Sequence, residues 1–290
     1  MTNTSSQMKS GYAAKKKLAN GVVYAILVVM CIIWVLPIVW LLLQSFRGES
    51  GTSVSYLFPK QWTFQNYINL FTDEELPFGT WFLKTFIVAV FSCIFSTLLV
   101  LMVSYAFSRL RFKSRKTFLN VGLILGMFPG FMSMAAVYAI MGLLGLSQSL
   151  FALVIVYSAG AGLGYQIAKG FFDTIPRSLD EAAKIDGATR NQIFWIIILP
   201  LSKPIIVYTA LTTFIGPWTD YIFVSYFMKD NMQNYTVAYG LYKMLDREYI
   251  MSHFTTFCAG AVVVAIPITV LFTIMQRFYV SGVTGGAVKG

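Results

Sequence analysis

The sequence predicts an all-α polytopic integral membrane protein: six transmembrane helices, with a short helix outside the membrane between the fourth and fifth. Three observations carry this. Apolar residues make up 57% of the 290-residue chain and charged residues only 12%, far less charge than a soluble domain of this length carries. Apolar runs of about 20 residues follow one another, long enough to cross a bilayer as helix. The runs are continuous, not the alternating ten-residue strands of a membrane barrel, so helices must satisfy the backbone polar groups inside lipid.

The elements follow in order. Residues 1–20 are polar and contain Lys15-Lys16-Lys17. The apolar run after them is long and leads into more protein, so it reads as a retained first span over 21–46, not a cleaved signal. Further spans are expected at 80–106, 117–143, 148–170, 203–228 and 254–280, making 21–281 one membrane domain, with 282–290 as a tail. Sixteen of the 22 basic residues fall on the two tails and on the connections around 109–116 and 169–203. Basic residues concentrate on the cytoplasmic side, which places both termini and the 169–203 connection there. Orientation therefore accounts for the net charge of +10 without nucleic acid. The longer outer loops, 47–79 and 229–253, are rich in Tyr, Phe and Trp. They suit an aromatic belt at the headgroups or a docking surface for an external partner.

The stretch from Asp180 to Pro200 stands apart by its charge. Pro176 breaks the preceding helix. Ser178 and Glu181 have capping-box spacing, and Asp180 and Glu181 suit the positive end of a helix dipole. Gly187 supplies a left-handed stop. A two-turn helix over Leu179 to Asp186 follows, with Leu179, Ala182, Ala183 and Asp186 on one face. The alanines let another surface approach that face closely. Thr189 and Gln192 repeat the capping box and start a second helix through Ile197 and Leu199, which bends near Pro200 and Pro204. Two turns of helix are not stable alone in water, so the segment needs a surface to lie on.

Within the spans, Asp220 is the acid most exposed to suspicion, since a carboxylate at membrane depth is a functional candidate. Gly216-Pro217 would loosen the helix beside it. Trp218 and Tyr221 could stack on the apolar face of a ligand ring while Asp220 accepts hydrogen bonds from its polar groups; the alternative is an Asp220 at the outer interface, capped by water. Met127 to Met132 read as a packed kink, and Gly160, Gly162 and Gly164 as close helix packing. Asn234-Tyr235-Thr236 matches a glycosylation triplet, a short pattern of little weight. Cys31, Cys93 and Cys258 lie in apolar runs and read as buried hydrophobes. With one histidine, His253, neither a metal site nor a proton relay is supported. No G-x-x-x-x-G-K-[ST] phosphate loop occurs, so the chain is not expected to hydrolyse ATP or to be an enzyme.

Glu181-Ala182-Ala183, Gly187, and Ile197-x-Leu199-Pro200 resemble, at every signature spacing, the EAA loop of ATP-binding-cassette importer permeases. The glycine-rich ending from Gly282 to Gly290 and Ala265-Ile266-Pro267-Ile268-Thr269 resemble the MalG-type subunit of maltose permeases, and Gly216-Pro217-Trp218 with Asp220 resembles Gram-positive maltodextrin permeases. The resemblance implies a permease subunit of a binding-protein-dependent importer of maltodextrin/maltose-type oligosaccharides in a bacterial cell membrane. Implied partners are a sister permease, two cytoplasmic ATPase subunits that use ATP and Mg, and an extracellular sugar-binding protein; no cofactor is bound by this chain. The EAA segment would be the coupling helix, through Glu181, Ala182, Ala183, Gly187, Ile197, Leu199 and Pro200. Gly282, Gly285 and Gly286 would let an extended tail thread between the ATPase subunits, with Gly285, Gly286 and Lys289 in contact. The alternatives are an ion-gradient-driven transporter, an importer of the same class for a different oligosaccharide, or an embedded receptor or assembly factor. The first expects inverted repeats, and no internal repeat is evident; the last makes the EAA spacing an accident.

Overall fold

The computed structural model describes residues 3–52, 54, 56–128, 130–229 and 231–287, with side chains from 16 to 276. In chain order its helices are α1 (Asn3–Ser45), α2 (Gln65–Thr72), α3 (Phe78–Arg109), α4 (Arg115–Met127), α5 (Met134–Leu143), α6 (Leu150–Ala161), α7 (Tyr165–Thr174), α8 (Arg177–Ile185), α9 (Arg190–Gln192), α10 (Leu199–Leu201), α11 (Lys203–Thr219), α12 (Ile222–Met228), α13 (Val237–Lys243) and α14 (Ile250–Ala287). Among the described residues, four stretches are long and apolar enough to cross a membrane unbent: Lys16–Ser45, Phe78–Arg109, Leu150–Thr174 and Ile250–Gln276. Two bent pairs, Arg115–Met127 with Gly130–Leu143 at 97° and Arg190–Leu201 with Lys203–Thr219 at 83°, bring the number to six.

Helix α3 is the axis of the bundle, with α6, α7 and α11 packed along it and α14 against α11. Its inward positions repeat at three- and four-residue spacing and alternate small polar with apolar residues: Thr85, Val88, Ser92, Ser96, Val100, Ser104 and Ser108. Small residues let helices approach where lipid removes the hydrophobic drive for helix to meet helix. Two apolar clusters form along this axis. One, at the loop end, gathers Leu70, Phe78, Trp81, Trp218, Phe227 and Tyr235. The other, at the opposite end, gathers Val100, Phe172, Ala183, Ile193, Phe194 and Ile198. At the loop end the approach is close: a methyl on Gly240 of α13 would overlap the Trp81 indole, which donates to the Met232 carbonyl at 2.9 Å. Asn234 is tied into the same end, donating to the Gln148 carbonyl and accepting from Lys84.

Several expectations change here. The fifth span is not continuous over 203–228, because α11 stops at Thr219 and the chain turns through Asp220 and Tyr221 into α12. The chain does bend at Met127 to Met132, by 97°, but Met127, Phe128, Phe131 and Met132 are 62–81% exposed, so the kink is not packed within this chain. At Gly160, Gly162 and Gly164 an added methyl would meet nothing within 4 Å, so these glycines do not serve close packing within the chain. The final stretch is helix through Gly282, Gly285 and Gly286 as far as Ala287, not extended; Lys289 lies outside the described residues.

Candidate functional site: a helical elbow

Helix α8 begins at Arg177, one residue before the expected cap, because Pro176 takes the N-cap position with an extended backbone (ψ 132°). Ser178 is then already helical and forms no capping box. The end of α8 is as expected. Gly187 has φ +83°, the left-handed region that favours glycine. The Gly187 amide donates to the Lys184 carbonyl at 3.1 Å and the Ala188 amide to the Ala183 carbonyl at 2.9 Å. This is the paired closure of a Schellman motif. Thr189 then caps the next helix with a complete capping box: its hydroxyl accepts from the Gln192 amide, and the Gln192 side chain accepts from the Thr189 amide at 2.8 Å. The result is a rod, a glycine corner and a second rod.

The second rod widens into a π-helical turn over Ile193–Ile198. Such turns insert an extra residue into the helical period. The widening turns Ile193, Phe194 and Ile198 inward together, each 5% exposed or less. Ile197 and Leu199 are half-buried and Pro200 is exposed. After Ser202 the chain bends by 83° into α11. The anchors of the elbow are therefore Ile193, Phe194 and Ile198, and not the signature positions themselves. Phe194 and Ile198 keep the ordinary four-residue spacing, but the five residues from Ile193 to Ile198 hide Ile193 from a search for helical periodicity.

On α8 the two alanines part company. Ala183 is buried against the cluster that holds Phe172 and Ile175. Ala182 is exposed, as are Leu179, Glu181, Lys184, Ile185 and Asp186, with Ile185 at 86%. One side of the rod thus packs on this chain. The other offers a thin ridge, Leu179–Ala182–Asp186, flanked by Glu181 and Ile185.

Charge fixes the rod. Arg109, in the last turn of α3, has a side chain only 3% exposed and lies 3.4 Å from the Asp180 carboxylate. The same guanidinium donates to the carbonyls of Phe172 and Ile175 at 2.9 and 2.8 Å, the C-terminal carbonyls of α7, where a cation complements the helix dipole. Ser108 donates to Asp173 at 2.6 Å and Tyr105 to the Arg190 carbonyl at 3.2 Å. The end of α3 therefore holds α7, α8 and α9 at once. Arg109 carries a local signal as a basic residue in the last turn of a span. Its partner, 71 residues away, does not.

The Asp220 region is built differently. Asp220 is half-buried at the α11–α12 break. Tyr157 of α6 donates to one carboxylate oxygen and the Phe223 amide to the other, both at 3.0 Å. Asp220 thus caps α12 and ties it to α6. Tyr221 leans on Tyr242 and Tyr239, with ring centroids 4.2 and 5.7 Å away. Trp218 is only 2% exposed and sits among Phe82, Phe86 and Phe214. Its ring is not free to stack on a ligand, which corrects that part of the expectation. Among the described residues no group of His, Cys, Asp or Glu could hold a metal.

Residues 11–285 match the family described as binding-protein-dependent transport system inner membrane component. The chain is 36% identical over 269 residues to the galactooligosaccharides transport system permease protein GanQ of Bacillus subtilis, covering 92% of this chain and 94% of that protein. It is 32% identical to the maltodextrin transport system permease protein MalD of Streptococcus pneumoniae, over 98% of this chain and all of that protein. Among solved structures it superposes, with a TM-score of 0.76 and 24% identity, on a chain of a bacterial ABC transporter involved in the import of the acidic polysaccharide alginate, covering 91% of this chain and 98% of that one.

Proposed function

The chain belongs to the binding-protein-dependent transport system inner membrane components, and from that membership we propose that it forms one half of the membrane path of an ATP-driven importer of maltodextrin/maltose-type oligosaccharides. Two relatives that align over nearly their whole length carry oligosaccharide names, which supports the substrate class. The full assembly on this reading has a sister permease, two ATPase subunits and an external binding protein. The elbow end faces the cytoplasm, as do both termini, in keeping with the basic residues gathered there.

The observation that carries the proposal is the two-sided rod α8. Its inner side is locked to α3 and α7 by Arg109 and Ala183, and its outer side is a bare alanine ridge. A capped rod so held can seat in a cleft of an ATPase subunit and pass its displacement to α3. Glu181, Ala182 and Gly187 make that contact, while Ile197, Leu199 and Pro200 shape the return into α11. Gly285 and Gly286 in the last turn of α14, and Lys289, are the tail residues assigned to contact the same subunits. Asp220 and Tyr221 border the sugar path, and Trp218 forms the wall behind them. ATP and Mg are used by the partner subunits, not by this chain.

The test is a pair of substitutions in the assembled transporter. Ala182→Trp adds bulk to the outer ridge only. We expect normal membrane insertion and thermal stability, with loss of ATPase co-purification and of maltodextrin uptake. Normal uptake by that variant would sink the coupling role. Competition for uptake between maltodextrins and galactooligosaccharides then separates the sugar classes.

A further inference from the structure

Beside the elbow, two cavities share a wall. The first, about 350 Å³, lies between the end of α3 and α8 and is lined by Arg109, Arg111, Arg177, Lys184 and Arg190, with Asp180 and Glu181 as its acids. Arg109 is already paired with Asp180, which leaves a net positive site. Arg111, Lys184 and Arg190 make no side-chain hydrogen bond or ion pair within the described chain, and the buried Nε of Arg109 has no partner there. The second cavity, about 310 Å³, is mainly apolar and is lined by Met102, Ala106, Phe194 and Asn191. Tyr105, Leu110 and Arg190 line both.

We propose that the paired cavities hold one anionic phospholipid: its phosphate among Arg111, Lys184 and Arg190, and an acyl chain along Met102, Ala106 and Phe194. The inference rests on the reading that this end of the bundle lies at a leaflet surface. The geometry runs in the direction a lipid needs. Met102 lies about 10 Å farther up α3 than Arg109, at 1.5 Å per residue, so the greasy slot is on the membrane side of the basic one. Basic pockets between spans on the cytoplasmic side suit anionic headgroups. Met102 (49%) and Trp195 (46%) leave apolar surface exposed beside the slot, and Trp195 donates its indole N–H to Asn191 at 3.1 Å, an arrangement suited to the headgroup boundary. An acidic side chain of a protein partner would satisfy the charges but leave the apolar slot without an occupant.

The experiment is native mass spectrometry of the full transporter complex after exchange into phosphatidylglycerol, into phosphatidylcholine, or into phosphatidylcholine with inorganic phosphate. One phosphatidylglycerol retained per copy of this chain, at least tenfold above phosphatidylcholine, is expected. Arg111→Gln with Arg190→Gln should abolish that preference. Ala106→Leu, which narrows the slot and leaves the charges, should weaken retention of phosphatidylglycerol without restoring phosphatidylcholine. Equal retention of both lipids, or a preference untouched by the arginine pair, overturns the proposal. So does competition by inorganic phosphate that Ala106→Leu does not alter, since the ligand is then a free anion. Normal ATPase co-purification and uptake by Ala182→Trp, with lipid retention intact, would count against the coupling reading and leave this one standing.

Discussion

The two ends of the bundle each bury an arginine, and they neutralise it by different means. At the loop end Arg47 is 0% exposed. It donates to the Gly51 carbonyl, and its guanidinium carbon stands 5.9 Å from the centre of the Phe254 ring. No ion pair to it exists among the described residues, and its Nε and one terminal nitrogen have no partner there. At the elbow end Arg109 meets a carboxylate and two helix-terminal carbonyls. Arg47 is surrounded by dipoles and a ring, so no second charge depends on it. Arg109 is the counter-ion of a separate element, so the position of α8 is written in charge. Any shift of α8 is felt at α3 and α7 together. That is what an element required to transmit displacement needs, and what a structural staple does not.

The strongest way to break this comparison is to replace both arginines with methionine. Removing one partner of a buried pair strands the other and costs about 3–5 kcal/mol, whereas a buried charge without a counter-ion can be exchanged for an apolar side chain at little net cost. Arg109→Met should therefore destabilise by about 3 kcal/mol, at the lower end of that range because the cavity beside it admits water. Arg47→Met should change stability by no more than about 1 kcal/mol, the size of the one hydrogen bond lost. Thermal unfolding of the purified complex reads both. Adding Asp180→Leu to Arg109→Met should recover part of the loss. Equal losses at the two ends would dissolve the distinction.

Two glycines sharpen it further. Gly240→Ala drives a methyl into the Trp81 indole, an overpacking cost of about 2 kcal/mol, and the loss should appear as lower thermal stability. Gly187→Ala meets nothing within 4 Å but must hold φ +83°. Its cost is conformational alone, about 1 kcal/mol, and should appear more in ATPase coupling than in unfolding. Were Gly187→Ala the more damaging to unfolding, the elbow would be part of the cooperative core and not a separable rod.

What the sequence made legible follows the range of the interactions. Gly187 and the Thr189–Gln192 box depend on residues three or four apart, and both are present as read. The Ser178 box failed for an equally local reason: Pro176 caps the helix and starts it two residues early. Spans were legible from composition, and Pro129-Gly130 and Gly216-Pro217 marked where the chain bends or breaks, but the 97° angle after Met127 and the packing around it depend on neighbours that no local pattern names. The separate fates of Ala182 and Ala183 are set by α7, which supplies Phe172. Trp218 looked like a sugar platform because aromatic residues beside an acid suit one. Its burial depends on phenylalanines from α3, more than 130 residues earlier. The Arg109–Asp180 pair is illegible for the same reason.

The smallest effect tests a single hydrogen bond at the loop end. Tyr157 of α6 donates to Asp220 at 3.0 Å, and the Phe223 amide uses the other oxygen. Interhelical hydrogen bonds of this kind in membranes average about 0.6 kcal/mol, so Tyr157→Phe should lower thermal stability only slightly. Its value lies in what it separates. If Asp220 is only a cap for α12, the Phe223 bond persists and uptake is unchanged. If Asp220 borders the path, freeing one of its oxygens changes how a sugar hydroxyl is held, and KM for uptake shifts while ATPase co-purification does not. A variant that lost ATPase co-purification instead would join Asp220 to the elbow. The loop end would then share the coupling proposed for the elbow.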